Sequence, residues 1–222
     1  MLLAIDTATQ WMSLALHDGR QIDYEATWRT HNNHTVELTP AIRTALQTTG
    51  RSIRDLSAIA VAQGPGSFTG LRIGLGVAKG LALAQRVPLV AIPTLDILAA
   101  GVPPLGSTLL AIIQVGRGRI CAQPFHWARD RWTDAGPAQI TDWAQLLEQV
   151  EGETLFAGEI DAAGRALLDA TDRPVRIAPG VFALRRAGML AELAWDRVEA
   201  GETDDPARVT PIYLHQPGVP HP

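Results

Sequence analysis

Between Gln63 and Leu81 the chain sets a run of turn formers, Gly64-Pro65-Gly66-Ser67, directly ahead of a small, apolar segment of helical length that carries Gly70, Gly74, Gly76 and Gly80. Each glycine inside a helix costs roughly 0.5–1 kcal/mol against alanine, so a helix here requires another backbone or helix at close range. At about 100° per residue, Gly70, Ile73, Gly74, Val77, Ala78, Leu81 and Ala84 share one face, and Arg72 and Lys79 share the opposite one with Gly76 between them. Nearly all the rest is apolar, which predicts a helix buried on more than one side, with small residues spaced by four suited to packing against a second helix. Packing within the chain's own fold and contact with another chain both satisfy this pattern.

The surrounding elements place that helix in an α/β chain. Leu2 to Ile5 is a continuous apolar run, Met12 to Leu16 alternates, and Ile22 to Trp28 resumes after the hairpin dipeptide Asp18-Gly19, which predicts a three-stranded antiparallel meander. His34 to Leu46 carries Leu38, Ala41, Ile42, Ala45 and Leu46 at helical spacing, with Gly50 as its stop. The strand Ala58–Gln63, the glycine helix to about Arg86, and the strand Leu89–Ile92 follow. A meander feeding alternating helices and strands predicts a mixed sheet. Gly101 to Gly106 is the best linker in the chain. Beyond it, strands at Thr108–Val115 and Ile120–Trp127, a helix capped by Thr141, short strands at Thr154–Ala157 and Val175–Ile177 around a helix at Asp161–Ala170, and an amphipathic helix from Phe182 to Glu199 suggest a second unit of similar order. The expected division is residues 1–105, residues 106–209, and a mostly disordered tail at 210–222.

Composition narrows the function. The 222 residues are 46% hydrophobic and 19% charged, with a formal net charge of −4, so no global field favours a polyanion and the chain alone is expected to bind nucleic acid poorly. Cys121 is the only cysteine, which excludes an internal disulfide and thiolate clusters and fits a reducing cytoplasm. The apolar region around Val87 to Val115 is broken by prolines, glycines and Asp96, and no membrane association is expected.

The motifs exclude more than they assign. Asp6-Thr7-Ala8-Thr9 closes the first strand, and its carboxylate and hydroxyls suit either a metal-bound phosphate or a local side-chain turn. Gly64, Pro65, Gly66, Ser67, Phe68 and Thr69 lead into a helix N-terminus, where free amides favour an anion. That loop has neither the lysine of a Walker A motif nor the third glycine of a dinucleotide fingerprint, and Ser67 lacks the glycines of a nucleophile elbow. His31, His34 and Glu37 lack the spacing of a metal site. No catalytic residue and no metal ligand is assigned.

Taken together, Ala4 to Thr9, His34 to Leu38 with Pro40, Gly64 to Gly74, Pro93-Thr94-Leu95 and the ending Pro211-Ile212-Tyr213-Leu214 resemble the TsaB (YeaZ) family. The resemblance implies an actin-like ATPase (ribonuclease H-like) fold of two α/β lobes with mixed sheets, the second shortened. It implies a non-catalytic cytoplasmic subunit in the synthesis of threonylcarbamoyladenosine beside the tRNA anticodon, with a TsaD-like transferase and a TsaE-like ATPase as partners and tRNA met only through the complex. It also implies a homodimer in the partners' absence, with the transferase replacing one copy on a surface that takes in Leu38, Ile42 and Leu46 from the first helix and Gly70, Ile73, Gly74, Val77, Ala78 and Leu81 from the glycine helix. No cofactor is required, although the Asp6, Thr7, Thr9 turn leaves room for weak ATP or ADP binding. Where relatives carry carboxylates in the second lobe, this chain has Gln114 and Arg119, so Asp6 is expected to stand alone. The competing expectation is a small actin-fold ATPase or phosphotransferase using Asp6 and Thr9.

Overall fold

In this computed structural model, which describes residues 1–106, 108–116 and 118–214, the opening apolar run is a strand buried on both faces. That strand, β1 (Leu2–Asp6), pairs antiparallel with β2 (Trp11–His17), and β2 pairs with β3 (Ile22–Arg29). Helix α1 (His34–Thr48) and a single 3-10 turn (Ile53–Asp55) lead to β4 (Ala58–Gly64), which lies parallel to β1. Then come α2 (Phe68–Gln85), β5 (Leu89–Pro93), parallel to β4, and α3 (Thr94–Ala100). The sheet order is β3-β2-β1-β4-β5.

The next sheet is built from β6 (Thr108–Gly116), β7 (Arg119–Ala128), β8 (Arg131–Asp134), β9 (Gln139–Thr141), β10 (Thr154–Gly158) and β11 (Val175–Ile177), with α4 (Trp143–Glu148) and α5 (Ala162–Ala170) between its later strands. Its order is β11-β10-β6-β7-β8, with β9 beside β7. Read from the other edge this is the first sheet's order again: an antiparallel meander whose first strand is central, then two parallel strands. The expected actin-like fold is present, and the second unit is shortened, α4 and α5 having 6 and 9 residues against 15 and 18 for α1 and α2.

The duplication is also written in residues. Gly64 ends β4 at φ +115°, and Gly158 ends β10 at φ +113°. Three residues on, Ser67 and Asp161 cap α2 and α5 by accepting from the N–H of Gly70 and of Gly164. Those glycines in turn admit a neighbour where a Cβ would collide, Thr7 O beside Gly70 and the Trp143 ring beside Gly164. A positive-φ strand end, a cap and a close approach recur at the same three-residue intervals in both units.

Contacts divide the chain differently from the expected lobes at 1–105 and 106–209. The first unit comprises Met1–Ile97 and Arg185–Ile212, and the second comprises Leu98–Leu184 with Tyr213. The returning helix, α6 (Ala187–Glu199), covers the face of the first sheet lined by Leu2, Ala4, Ala15, Ala58 and Ala60, against which Ala187, Leu190, Ala191 and Ala194 pack. Alanine opposite alanine brings helix and sheet together over a long seam, a match between segments far apart in sequence. The other face, with Leu3, Ile5, Leu14, Ile59 and Val61, packs on α1 and α2.

Three local expectations are corrected. Helix α6 starts at Ala187 instead of Phe182, because Arg185 and Arg186 are drawn out to carboxylates of the first sheet, while Gly180–Phe182 forms a separate 3-10 turn. Asp142 caps α4, accepting from the N–H of Gln145 at 2.9 Å, while Thr141 ends β9. Strands β8 and β9 are further elements, each too short for a periodic signal. Of the expected disordered tail, Thr210 to Leu214 have described positions and the remainder lies outside the described residues.

Candidate functional site

Asp6 is the last residue of β1, and its carboxylate is taken. Arg185, just ahead of α6, donates from Nε to Asp6 Oδ2 at 2.9 Å and from Nη2 to Thr9 Oγ1 at 2.7 Å. Both side chains of the ion pair are 1% exposed. Asp6 Oδ1 accepts from the N–H of Ala8 at 2.8 Å, and Thr9 Oγ1 accepts from the N–H of Trp11 at 3.2 Å. Thr7 donates its hydroxyl to the carbonyl of Gly70 at 2.7 Å. Where a metal-bound phosphate would need a carboxylate facing a cation and hydroxyls turned to its oxygens, a guanidinium of the chain itself is the cation and the hydroxyls are engaged by protein. These residues do not fit a nucleotide's phosphates.

The same turn sets the helices. Ser67 donates its N–H to Ala8 O at 2.6 Å. A Cβ on Gly66 would collide with Ala8 O, and one on Gly74 with Thr7 Oγ1, as one on Gly70 would with Thr7 O. Buried His34 at the start of α1 lies 2.8 Å, through Nε2, from the carbonyl of Thr9; a carbonyl only accepts, so Nε2 carries the hydrogen. Residues 6–9 thus pin the N-terminal ends of α1 and α2 and the approach to α6. On the far side of the glycine loop, Gly64 donates to Thr94 Oγ1 at 3.1 Å, and Gln63 holds the C-terminal segment, its carbonyl accepting from Ile212 N at 2.9 Å.

The residues expected at a contact surface divide by burial. Gly70, Gly74 and Ala78 are buried inside the unit, and so is Leu38. Ile73, Val77 and Leu81 are half-buried. The outward strip of α2 is instead Arg72, Gly76, Gly80 and Leu83, the side the residue spacing had set opposite the contact face. The intramolecular need of Gly70 and Gly74 for Thr7 decides which glycines turn inward; Gly76 and Gly80 have no neighbour within 4 Å of a built Cβ. Ile42 and Leu46, with Val77 and Leu81, line a cleft of about 400 Å³ between α1 and α2, edged by Arg43 and Arg51. Val36, Phe68 and Leu83 are 67%, 54% and 65% exposed on these two helices. Arg72 sits over the Phe68 ring at 4.0 Å.

In the second unit, the end of β6 is topologically equivalent to Asp6. Gln114 there donates its N–H to Glu159 Oε2 at 3.0 Å and its Nε2 to Glu159 O at 2.9 Å. Glu159, the residue after β10, thus brings a carboxylate to that strand end, where Gln114 engages it. Arg119 opens β7 across the hairpin from Gly116. His31 is exposed, His34 turns to Thr9, and Glu37 accepts from Trp28 Nε1 at 2.8 Å, so the three do not converge. Among the described residues no group of three or more His, Cys, Asp or Glu side chains is placed to hold a metal. Cys121 is buried, and desolvation pushes its thiol up to about 12. No helix among the described residues is long and apolar enough to cross a membrane.

Arg185 is the residue that sequence reasoning missed. It lies 179 positions from Asp6, in a segment with no motif of its own, and the only hint was that a buried Asp6 needs a cation.

Comparison with known proteins follows the same lines. Residues 28–214 match the family model described as TsaD: tRNA N6-adenosine threonylcarbamoyltransferase. The tRNA threonylcarbamoyladenosine biosynthesis protein TsaB of Bacillus subtilis is 29% identical over 171 residues, 76% of this chain and 75% of that one. The protein of the same name from Escherichia coli is 42% identical over 102 residues, 45% of this chain and 43% of its own length. Among solved structures, YeaZ from Pseudomonas aeruginosa superposes with a TM-score of 0.78 at 27% identity, covering 96% of this chain and 99% of that one.

Proposed function

This chain belongs to the TsaB (YeaZ) family, and from that membership we propose that it is a non-catalytic assembly subunit in the biosynthesis of tRNA threonylcarbamoyladenosine. Its task is to bind and support a TsaD-like transferase, with a TsaE-like ATPase joining the assembly in the cytoplasm and tRNA reached only through the complex. The observation that carries the non-catalytic reading is the buried Asp6–Arg185 pair, which places an internal guanidinium where nucleotide chemistry would need a metal. The docking surface is the outward side of α1 and α2, where two glycines with no intramolecular neighbour and an apolar cleft stand exposed. In the absence of the transferase the same surface pairs with a second copy.

Co-purification with the transferase of the same genome, followed by size determination, tests the partner and the stoichiometry together. A complex is expected with the native chain, and it is lost in Val77→Glu, within the cleft, and in Gly76→Leu, on the outward strip, neither of which removes the Thr7 contacts. Undiminished assembly in both variants overturns the docking surface. The competing ATPase reading requires magnesium-ATP to bind the isolated chain and to be lost in Asp6→Ala; titration calorimetry is expected to register no such binding.

A further inference from the structure

One imidazole stands where the two outward helices begin. After the exposed run His31-Asn32-Asn33 the next residue turns inward: His34 opens α1 and is 4% exposed. Helix α1 lacks the usual side-chain anchor, since Asn33 makes no capping hydrogen bond among the described residues. Thr30 Oγ1, accepting from Asn33 N at 3.0 Å, closes the loop ahead of the helix. Within the helix the anchor is His34. Its Nε2–H donates to the carbonyl of Thr9 at 2.8 Å, and the same Nε2 lies 3.5 Å from where a Cβ on Gly70 would stand, against the first turn of α2. The ring thus joins the β1–β2 turn, α1 and α2 at one point.

Beyond this point the helices part. The cleft of about 400 Å³ lies between Ile42 and Leu46 on one side and Val77 and Leu81 on the other. Leu38 and Ala45 seat α1 in the core of the first unit. Apolar contact is non-directional and tolerates rotation about that seat, whereas a hydrogen bond fixes direction. At roughly 1.5 Å per residue, Leu46 lies about 18 Å along the axis from His34, so a turn of about 10° at the imidazole displaces it by about 3 Å, more than packed side chains absorb. Resting on the assembly role proposed above, we infer that His34, although buried away from the docking surface, is a positioning residue for it. Its bond to Thr9 sets the angle between α1 and α2, and with it the width of the cleft offered to the transferase.

Two readouts separate positioning from stability. Spin labels on Thr48→Cys and Ala84→Cys, exposed positions near the far ends of α1 and α2, report the angle as a distance, with buried Cys121 left unlabelled and the labelled chain diluted into unlabelled chain. Affinity for the TsaD-like transferase of the same genome is measured on the unlabelled full chain. His34→Leu fills the space without a donor. It is expected to shift or broaden the label distance by about 3 Å and to weaken the complex about tenfold, the cost of re-ordering the helices on docking. His34→Gln, whose terminal amide N–H can stand where Nε2–H stands, is expected to keep both native values. His34→Asn is too short to do so and is expected to behave as His34→Leu, replacing it where circular dichroism shows that variant unfolded. Native distance and native affinity in His34→Leu overturn the proposal. So do affinity lost at an unchanged distance, a changed distance at unchanged affinity, and His34→Gln failing with the others. In each of these cases the assembly role stands. No complex with the native chain overturns the assembly role and the docking purpose of His34 together, while the label distance still reports whether His34 sets the angle.

Discussion

At the residue scale the chemistry of this protein turns on what Asp6 faces. A carboxylate 1% exposed beside a guanidinium equally buried is stable as a pair and costly as a remnant. Arg185→Met is expected to lower stability by about 3–5 kcal/mol, because Asp6 is left charged and buried, whereas Asp6→Leu combined with Arg185→Met recovers most of that loss. Denaturant titration of the two variants checks the sign. Cys121 supplies a second prediction. Its thiol, raised to about 12 by desolvation, stays protonated and shielded at neutral and mildly alkaline pH, so thiol reagents are expected to label it only after unfolding. Glu37 gives a pH signature in the opposite range. The hydrogen bond from Trp28 lowers its pKa below the usual 4.5, so its contribution is present above that value and is lost as pH falls through the depressed one. A change in Trp28 fluorescence over that acid window is expected, and Glu37→Ala removes it.

At the element scale α2 separates two uses of glycine. Gly70 and Gly74 meet the backbone and hydroxyl of Thr7, so Gly70→Ala or Gly74→Ala forces β1 and α2 apart and is expected to lower the denaturation midpoint. Gly76 and Gly80 meet nothing. Gly76→Ala and Gly80→Ala are expected to raise the stability of the isolated chain by roughly 0.5–1 kcal/mol each, through helix propensity alone, while weakening the transferase complex. Stabilisation accompanied by unchanged binding would show that the exposed glycines serve no contact. The residue spacing identified the glycine helix and its excess of apolar surface. It set the side with Arg72 and Lys79 apart by charge, but not which glycines the chain's own fold needs inside, a choice made by Thr7, more than sixty residues earlier.

At the scale of the whole molecule, the last part of the chain belongs to the first sheet. The N–H groups of Ala187 and Gly188 donate to Ser13 Oγ and Glu25 Oε1, each at 2.7 Å, and Asp204 closes the β5 edge by bonding Leu89 O and Ala91 N, each at 2.8 Å. A chain ending at Glu202 loses both the Asp204 bridge and the hold of Gln63 on Ile212. It is expected to unfold at lower denaturant and to aggregate through the freed edge, which light scattering would register. Much of this protein was legible in its sequence. The fold class, the order of elements, the strand ends at Asp6 and Gly64, and the family all rest on local pattern, because turn chemistry and apolar periodicity act over a few residues. The tertiary structure alone decided three things: that α6 returns to the first unit, that Arg185 neutralises Asp6, and that Gly76 and Gly80, not Gly70 and Gly74, face outward. Each is a match between groups distant in the chain, where burial and charge select the partner and local pattern carries no record of it.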